Sequence, residues 1–185
     1  MFDTINTKAR GIGSSLSRYL RRDNDHLSWV ATELLTRNDS PFINIGSIIG
    51  RRTNGKHITL QNLYRTLCFL MKDPSLFTLS REVKLLIALT FYACVKEIFI
   101  DEWSDYNSYR ITHIVCLDAL SISGSFLFSK LLKDNKRPIQ RNDLYKHLKK
   151  LKLVDWSSDG SLKYLKGITG SRTLASDLCD QLLKT

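Results

Sequence analysis

At 185 residues, with 43% apolar and 10% aromatic content, the chain has room for one domain with a real core, and that composition makes it globular. Its formal charge of +10 favours polyanionic partners, nucleic acid or an anionic membrane surface, and says nothing about fold. No stretch reaches the roughly 18 uninterrupted apolar residues of a membrane span; the longest, LLIALTFYACV at 85–95, stops at Lys96 and Glu97, so the chain reads as soluble and cytoplasmic.

In chain order, Phe2 and Ile5 bracket Asp3 and Thr4 at once, with no apolar run of signal-peptide length behind them. The opening therefore reads as the end of a strand entering a loop, as if something ought to precede it. Leu27, Val30, Ala31, Leu34 and Leu35 then fall at helical spacing, with Asp23 or Asn24 available as cap, and NDSP ends that helix. The β-branched residues on either side of Thr53-Asn54-Gly55 predict two short strands joined by an Asn-Gly turn, a hairpin near 43–59.

Thr59 caps the next helix, whose inward stripe is Leu60, Leu63, Leu67, Leu70 and Met71, and Asp73-Pro74 breaks it. Ser80 caps a helix that is apolar around nearly its whole circumference from Leu85 to Val95, the mark of a buried central helix. A polar connection, DEWSDYNSYR, leads to a long segment from Ile111 to Leu132, where Gly124 signals close packing, a bend or a break. Pro138 fits the first turn of another helix with Leu144, Leu148 and Leu151 as its core stripe. A loop with Gly160, Gly167 and Gly170 follows, and LASDLCDQLLK closes the chain as a short amphipathic helix. The predicted fold class is α+β, mainly helical: about six helices around the 83–99 helix with a short N-terminal hairpin, in one domain over 1–185 divided into 1–59 and 60–185.

Few residues carry the signature of chemistry. The four cysteines, Cys68, Cys94, Cys116 and Cys179, form no short ligand pair and read as buried reduced thiols. His26, His57, His113 and His147 show no metal-ligand spacing, so neither a metal nor a cofactor is expected. His113 reads as a partly buried imidazole satisfied by a neighbour. Asp101, Glu102 and Asp105 read as a solvated helix end rather than an acid/base pair. GITGSRT at 167–173 lacks the ending of a P-loop; it reads as a sharp turn, or as a contact to a DNA phosphate with Lys166 and Arg172 beside it.

The charge is concentrated. Between 130 and 152 lie nine Lys or Arg (130, 133, 136, 137, 141, 146, 149, 150, 152) against Asp134 and Asp143, so nine minus two gives +7. With Leu144, Leu148 and Leu151 turned inward, the cations of that helix must occupy its other faces. The candidate DNA-binding residues are Arg137, Arg141, Lys146, Lys149, Lys150, Lys166 and Arg172, making mostly backbone contacts to a duplex.

The order of several segments resembles the DGQHR-domain family, which includes the DndB-like proteins associated with DNA phosphorothioate modification. FDTINTKARGIGSSL is similar to the segment that follows that family's signature, and NDSPF, ITLQNLYRTL, YACVKEIFIDEW and LKKLKLVDWSSDG are similar to its later blocks, with Ile100 standing where proline is usual. The Asp-Gly-Gln-His-Arg motif itself is absent from this sequence. The resemblance implies the second half of such a domain, and a non-catalytic DNA-binding or regulatory module of a bacterial modification or defence system. The alternative it implies is a subunit of a ParB-like or GmrSD-like nuclease whose catalytic half is encoded separately. Either way no catalytic residue is assigned here, and no membrane partner is expected. Phe2, Ile5, Phe42 and Ile45 are expected to leave an apolar surface that drives homo-oligomerisation or binding to an upstream-encoded partner.

Overall fold

A computed structural model describes residues 13–49, 55–134 and 139–184. Its elements in chain order are α1 (Ser14–Leu20), α2 (His26–Thr36), β1 (Gly46–Ser47), β2 (Ile58–Thr59), α3 (Leu60–Leu70), α4 (Pro74–Phe77), α5 (Arg81–Ile98), α6 (Ile100–Ser104), α7 (Ile114–Asp134), α8 (Arg141–Leu148) and α9 (Gly167–Leu183). Single 3-10 turns occupy Lys149–Leu153 and Ser161–Tyr164. The architecture is mainly helical with a small β component, as the hydrophobic periodicity predicts.

Local chemistry explains most boundaries. Thr59 accepts from the Asn62 backbone N–H at 3.2 Å and Ser80 accepts from Val83 N–H at 3.4 Å, so both expected caps are in place. The cap of α2 is Asp25, one or two residues beyond the expected Asp23 or Asn24; its carboxylate accepts from Leu27 and Ser28 N–H at 3.0 and 3.3 Å. Asp73 both ends the α3 segment and caps the short α4, with Pro74 in the first turn where its missing N–H leaves nothing unsatisfied.

The hairpin expectation is corrected. β1 and β2 pair in parallel, Gly46 opposite Ile58 and Ser47 opposite Thr59, whereas an Asn-Gly hairpin is antiparallel. Burial sets these directions. Upstream of β1, the fully buried Phe42 meets Tyr92 and Trp103 edge-on at 4.8 and 5.4 Å, while β2 runs straight into α3 through the Thr59 cap, with Ile58 and Leu60 buried. Phe42 therefore belongs to the core, against the expectation of a poorly covered face, and Ile45 packs partly buried against it. Phe2 and Ile5 lie outside the described residues. Apolar exposure occurs elsewhere, at Val83, Leu86 and Leu132.

Two long helices organise the core. α5 buries Leu85, Ala88, Phe91, Tyr92 and Val95 but turns Leu86, 64% exposed, to solvent, so its apolar circumference is not wholly covered. α7 runs unbroken through Gly124 and packs against α3 on one side and α9 on the other. Gly124 marks close packing: a Cβ there would lie 2.7 Å from the Phe91 ring. The stretch Ile114–Lys133 is long and apolar enough to cross a membrane by length and composition, yet 67% of it is buried against the rest of the fold. A Tyr92–Ser121 hydroxyl pair at 2.6 Å locks α5 to α7.

Candidate nucleic-acid interface

The segment Arg141–Leu153 is anchored as its leucine spacing predicts, with Leu144, Leu148 and Leu151 buried. Gln140 and Asp143 form a reciprocal capping box at the start of α8, which fixes the orientation of the helix. Lys146 and Lys149 are exposed, as is Lys152 on the following 3-10 turn. Arg137 lies outside the described residues.

The remaining predicted cations are not equivalent to these. Arg141 is exposed but pairs with Glu97 of α5, whose carboxylate offsets its charge and raises its pKa. Lys150 is only half exposed; its ammonium donates to the carbonyls of Leu182, at 3.4 Å, and of Lys184. It thus neutralises the negative end of α9, the usual place for a cation at a helix C-terminus.

That contact also fixes the geometry of the set. Lys150 sits at the C-terminal end of α9, whereas Lys166 is the N-cap of the same helix. Seventeen residues of α-helix separate the two ends by about 25 Å at 1.5 Å per residue. The predicted residues therefore form two clusters, not one. The first comprises Lys146 and Lys149, with Arg141 and Lys150 already engaged by protein partners; Lys152, outside the predicted set, is exposed on the following turn. The second comprises Lys166 and Arg172, both exposed.

GITGSRT is not a loop but the first two turns of α9. Gly167, at φ 58°, takes the left-handed turn into the helix, and Ser171 donates to the Gly167 carbonyl at 3.1 Å rather than pointing outward. A contact from this segment thus comes from the helix start and its flanking cations.

Sequence reading missed two neighbours of Lys166. The 3-10 turn Ser161–Tyr164 presents Lys163 and Tyr164, and the Tyr164 ring is 75% exposed with the Lys163 ammonium 5.2 Å from its centroid. Cations interleaved with an exposed ring are the pattern a nucleic-acid strand engages through phosphate and base together; the Lys-Tyr-x-Lys spacing was the available signal. Lys166 also lines a small cavity of 240 Å³ with His57, Tyr106, Arg110, Thr112 and His113. Tyr106 is stacked between His57 and His113, at 3.8 and 4.2 Å, and His57 Nε2 lies 3.0 Å from the Thr112 hydroxyl. His113 is thus half-buried and held by a neighbour, as expected. The Arg110 Nε is buried without a hydrogen-bond partner among the described residues, and no carboxylate lines this cavity.

Asp101 and Asp105 are exposed around the α6 turn, Asp105 accepting the backbone N–H groups of Asn107 and Ser108 at 3.0 and 3.1 Å. The Ser108 side chain, and after it these backbone bonds, hold its carboxyl below the usual range, which suits a turn-forming residue rather than a proton donor. Cys94 and Cys116 are buried thiols, and Cys116 is pushed up to about 12 by burial. Comparison with family models, with curated proteins and with solved structures finds no match.

Proposed function

We propose that this protein is a non-catalytic duplex-DNA-binding or regulatory module, acting in the cytoplasm of a bacterial DNA-modification or defence system. The observation that carries the reading is the anchored basic segment: buried Leu144, Leu148 and Leu151 hold Lys146, Lys149 and Lys152 outward. Lys163, Tyr164, Lys166 and Arg172 at the start of α9 add a second binding surface about 25 Å away. The order of DGQHR-like segments supports the modification or defence setting. Binding of this type is directed at phosphates, so it is largely independent of sequence and falls steeply with salt.

The test is a fluorescence-anisotropy titration of a labelled duplex at two salt concentrations. Wild type is expected to bind at low salt, and Lys146→Ala/Lys149→Ala to make the slope of log K against log salt shallower by up to about 1.8, at about 0.9 for each phosphate no longer neutralised. Lys166→Ala/Arg172→Ala is expected to act similarly, and Arg141→Ala/Lys150→Ala to change the slope little because those cations have internal partners. Absence of binding at low salt, or unchanged slopes in both surface pairs, overturns the reading.

A further inference from the structure

A further cavity lies away from both basic clusters. It has a volume of 730 Å³, and its wall is built from the start of α2, the outer face of α3, the α4 turn and the first turn of α5. A volume of this size accommodates a small organic molecule. Leu27, Met71, Phe77 and Leu79 supply much of the lining.

Lys84 sets this cavity apart. Its side chain lines it, yet the residue is only 4% exposed. Among the described residues its ammonium has no hydrogen-bond or ion-pair partner; its neighbour is the ring of Phe77, 5.3 Å from Nζ to centroid. The stem of this lysine is enclosed while its ammonium stays accessible from the cavity, where an anion can reach it. Burial lowers its pKa.

No other titratable group of the wall makes a hydrogen bond or ion pair with it. The Asp25 carboxylate accepts from Leu27 N–H, Ser28 N–H, the Ser28 hydroxyl and, at 3.4 Å, the Arg18 guanidinium, so it is engaged by the α2 cap and Arg18 and attracts Lys84 only at longer range. Tyr64 is raised to about 12, chiefly by burial, and burial also raises Cys68; both stay neutral near pH 7. Lys72 and His26 are exposed at the rim. The cavity therefore pairs an apolar body with the ammonium of an enclosed lysine.

We infer that this cavity binds an organic monocarboxylate with an apolar body, its carboxylate paired to the Lys84 ammonium. One point charge with no guanidinium fork suits a single negative charge better than a phosphate dianion. Phe77, 62% exposed in the short α4, covers the apolar part of the ligand. The site is independent of the DNA reading, since none of the candidate DNA-binding residues lines it.

The full chain is titrated by calorimetry with octanoate, its uncharged isostere octanamide, and inorganic phosphate. Octanoate is expected to bind at least tenfold more tightly than octanamide, with phosphate weaker than both. Lys84→Met is expected to erase the preference for octanoate while keeping the helical circular-dichroism spectrum, and Lys72→Met to leave it in place. Equal binding of octanoate and octanamide to wild type, no binding of octanoate, tighter binding of phosphate, or an unchanged preference in Lys84→Met overturns the proposal. The octanoate to octanamide comparison is made on wild type and so does not depend on any variant folding.

Discussion

Replacing Thr66 by valine should destabilise this protein more than replacing the charge it serves. Asp118, with a side chain 1% exposed in the second turn of α7, accepts from the Thr66 hydroxyl at 2.7 Å and from Arg65 Nη2 at 2.8 Å. Thr66→Val strands one oxygen of a buried carboxylate, a loss of about 2 kcal/mol for a hydrogen bond to a charged group. For a domain of this size that is a fall in Tm of roughly 4–8 °C. Asp118→Asn keeps an acceptor for Thr66 and removes the buried charge, while Arg65, with a side chain 48% exposed, regains water; this variant should lie within about 1 kcal/mol of wild type at pH 7. Because burial raises the Asp118 pKa, the folded state holds its proton more firmly than the unfolded state. The contribution of Asp118 is thus most favourable below the unfolded carboxylate value and is lost as pH rises through the folded one. The stability of Asp118→Asn relative to wild type should accordingly fall as the solution is acidified. Urea denaturation followed at 222 nm on both variants and the double mutant measures these differences, and Thr66→Val should cost less in the Asp118→Asn background. Asp118→Asn losing about 3 kcal/mol or more, with Thr66→Val near wild type, refutes the reasoning.

Two further outcomes follow from packing and burial. Gly124→Ala gains up to about 1 kcal/mol of helix propensity but drives a methyl into the Phe91 ring at 2.7 Å; overpacking of this kind costs about 1–3 kcal/mol, so thermal denaturation should show a lower Tm that Phe91→Leu partly restores. Lys84→Met should raise stability at pH 7, because a pKa lowered by burial below the ordinary 10.5 means the unfolded state takes up the proton more readily; the gain should be largest at low pH and vanish above about pH 10.5 in urea titrations.

Helix boundaries were legible because their chemistry is local. A threonine or serine whose oxygen reaches an N–H three residues on, as Thr59 and Ser80 do, announces itself in the sequence. The leucines at 144, 148 and 151 did the same for the anchored basic segment. Strand direction was not legible, since two residues per strand carry no register signal and the parallel pairing is imposed by contacts such as Phe42 on Tyr92, 50 positions apart in sequence. GITGSRT read as a loop because glycine disfavours helix; its glycines instead permit the left-handed entry at Gly167 and the close approach of Gly170 to the Leu165 backbone.

The candidate sites were less legible for a further reason: a charge count treats every lysine as a surface charge. Lys84 lies in REVKLL, where an amphipathic reading gives it to solvent, and only the fold of α4 against α5 encloses it. Lys150 stands one residue from Lys149 in a uniformly basic run, yet one reaches the carbonyls ending α9 and the other stays in water. Arg141 is likewise tied to Glu97. Arg141 and Lys150 are bound by parts of the chain distant in sequence, so over Arg141–Leu153 the positive field is weaker than the composition suggests and rests on Lys146, Lys149 and Lys152. At Lys84 the enclosed stem turns the ammonium into a cavity, where it is better suited to holding a small anion than to steering a duplex.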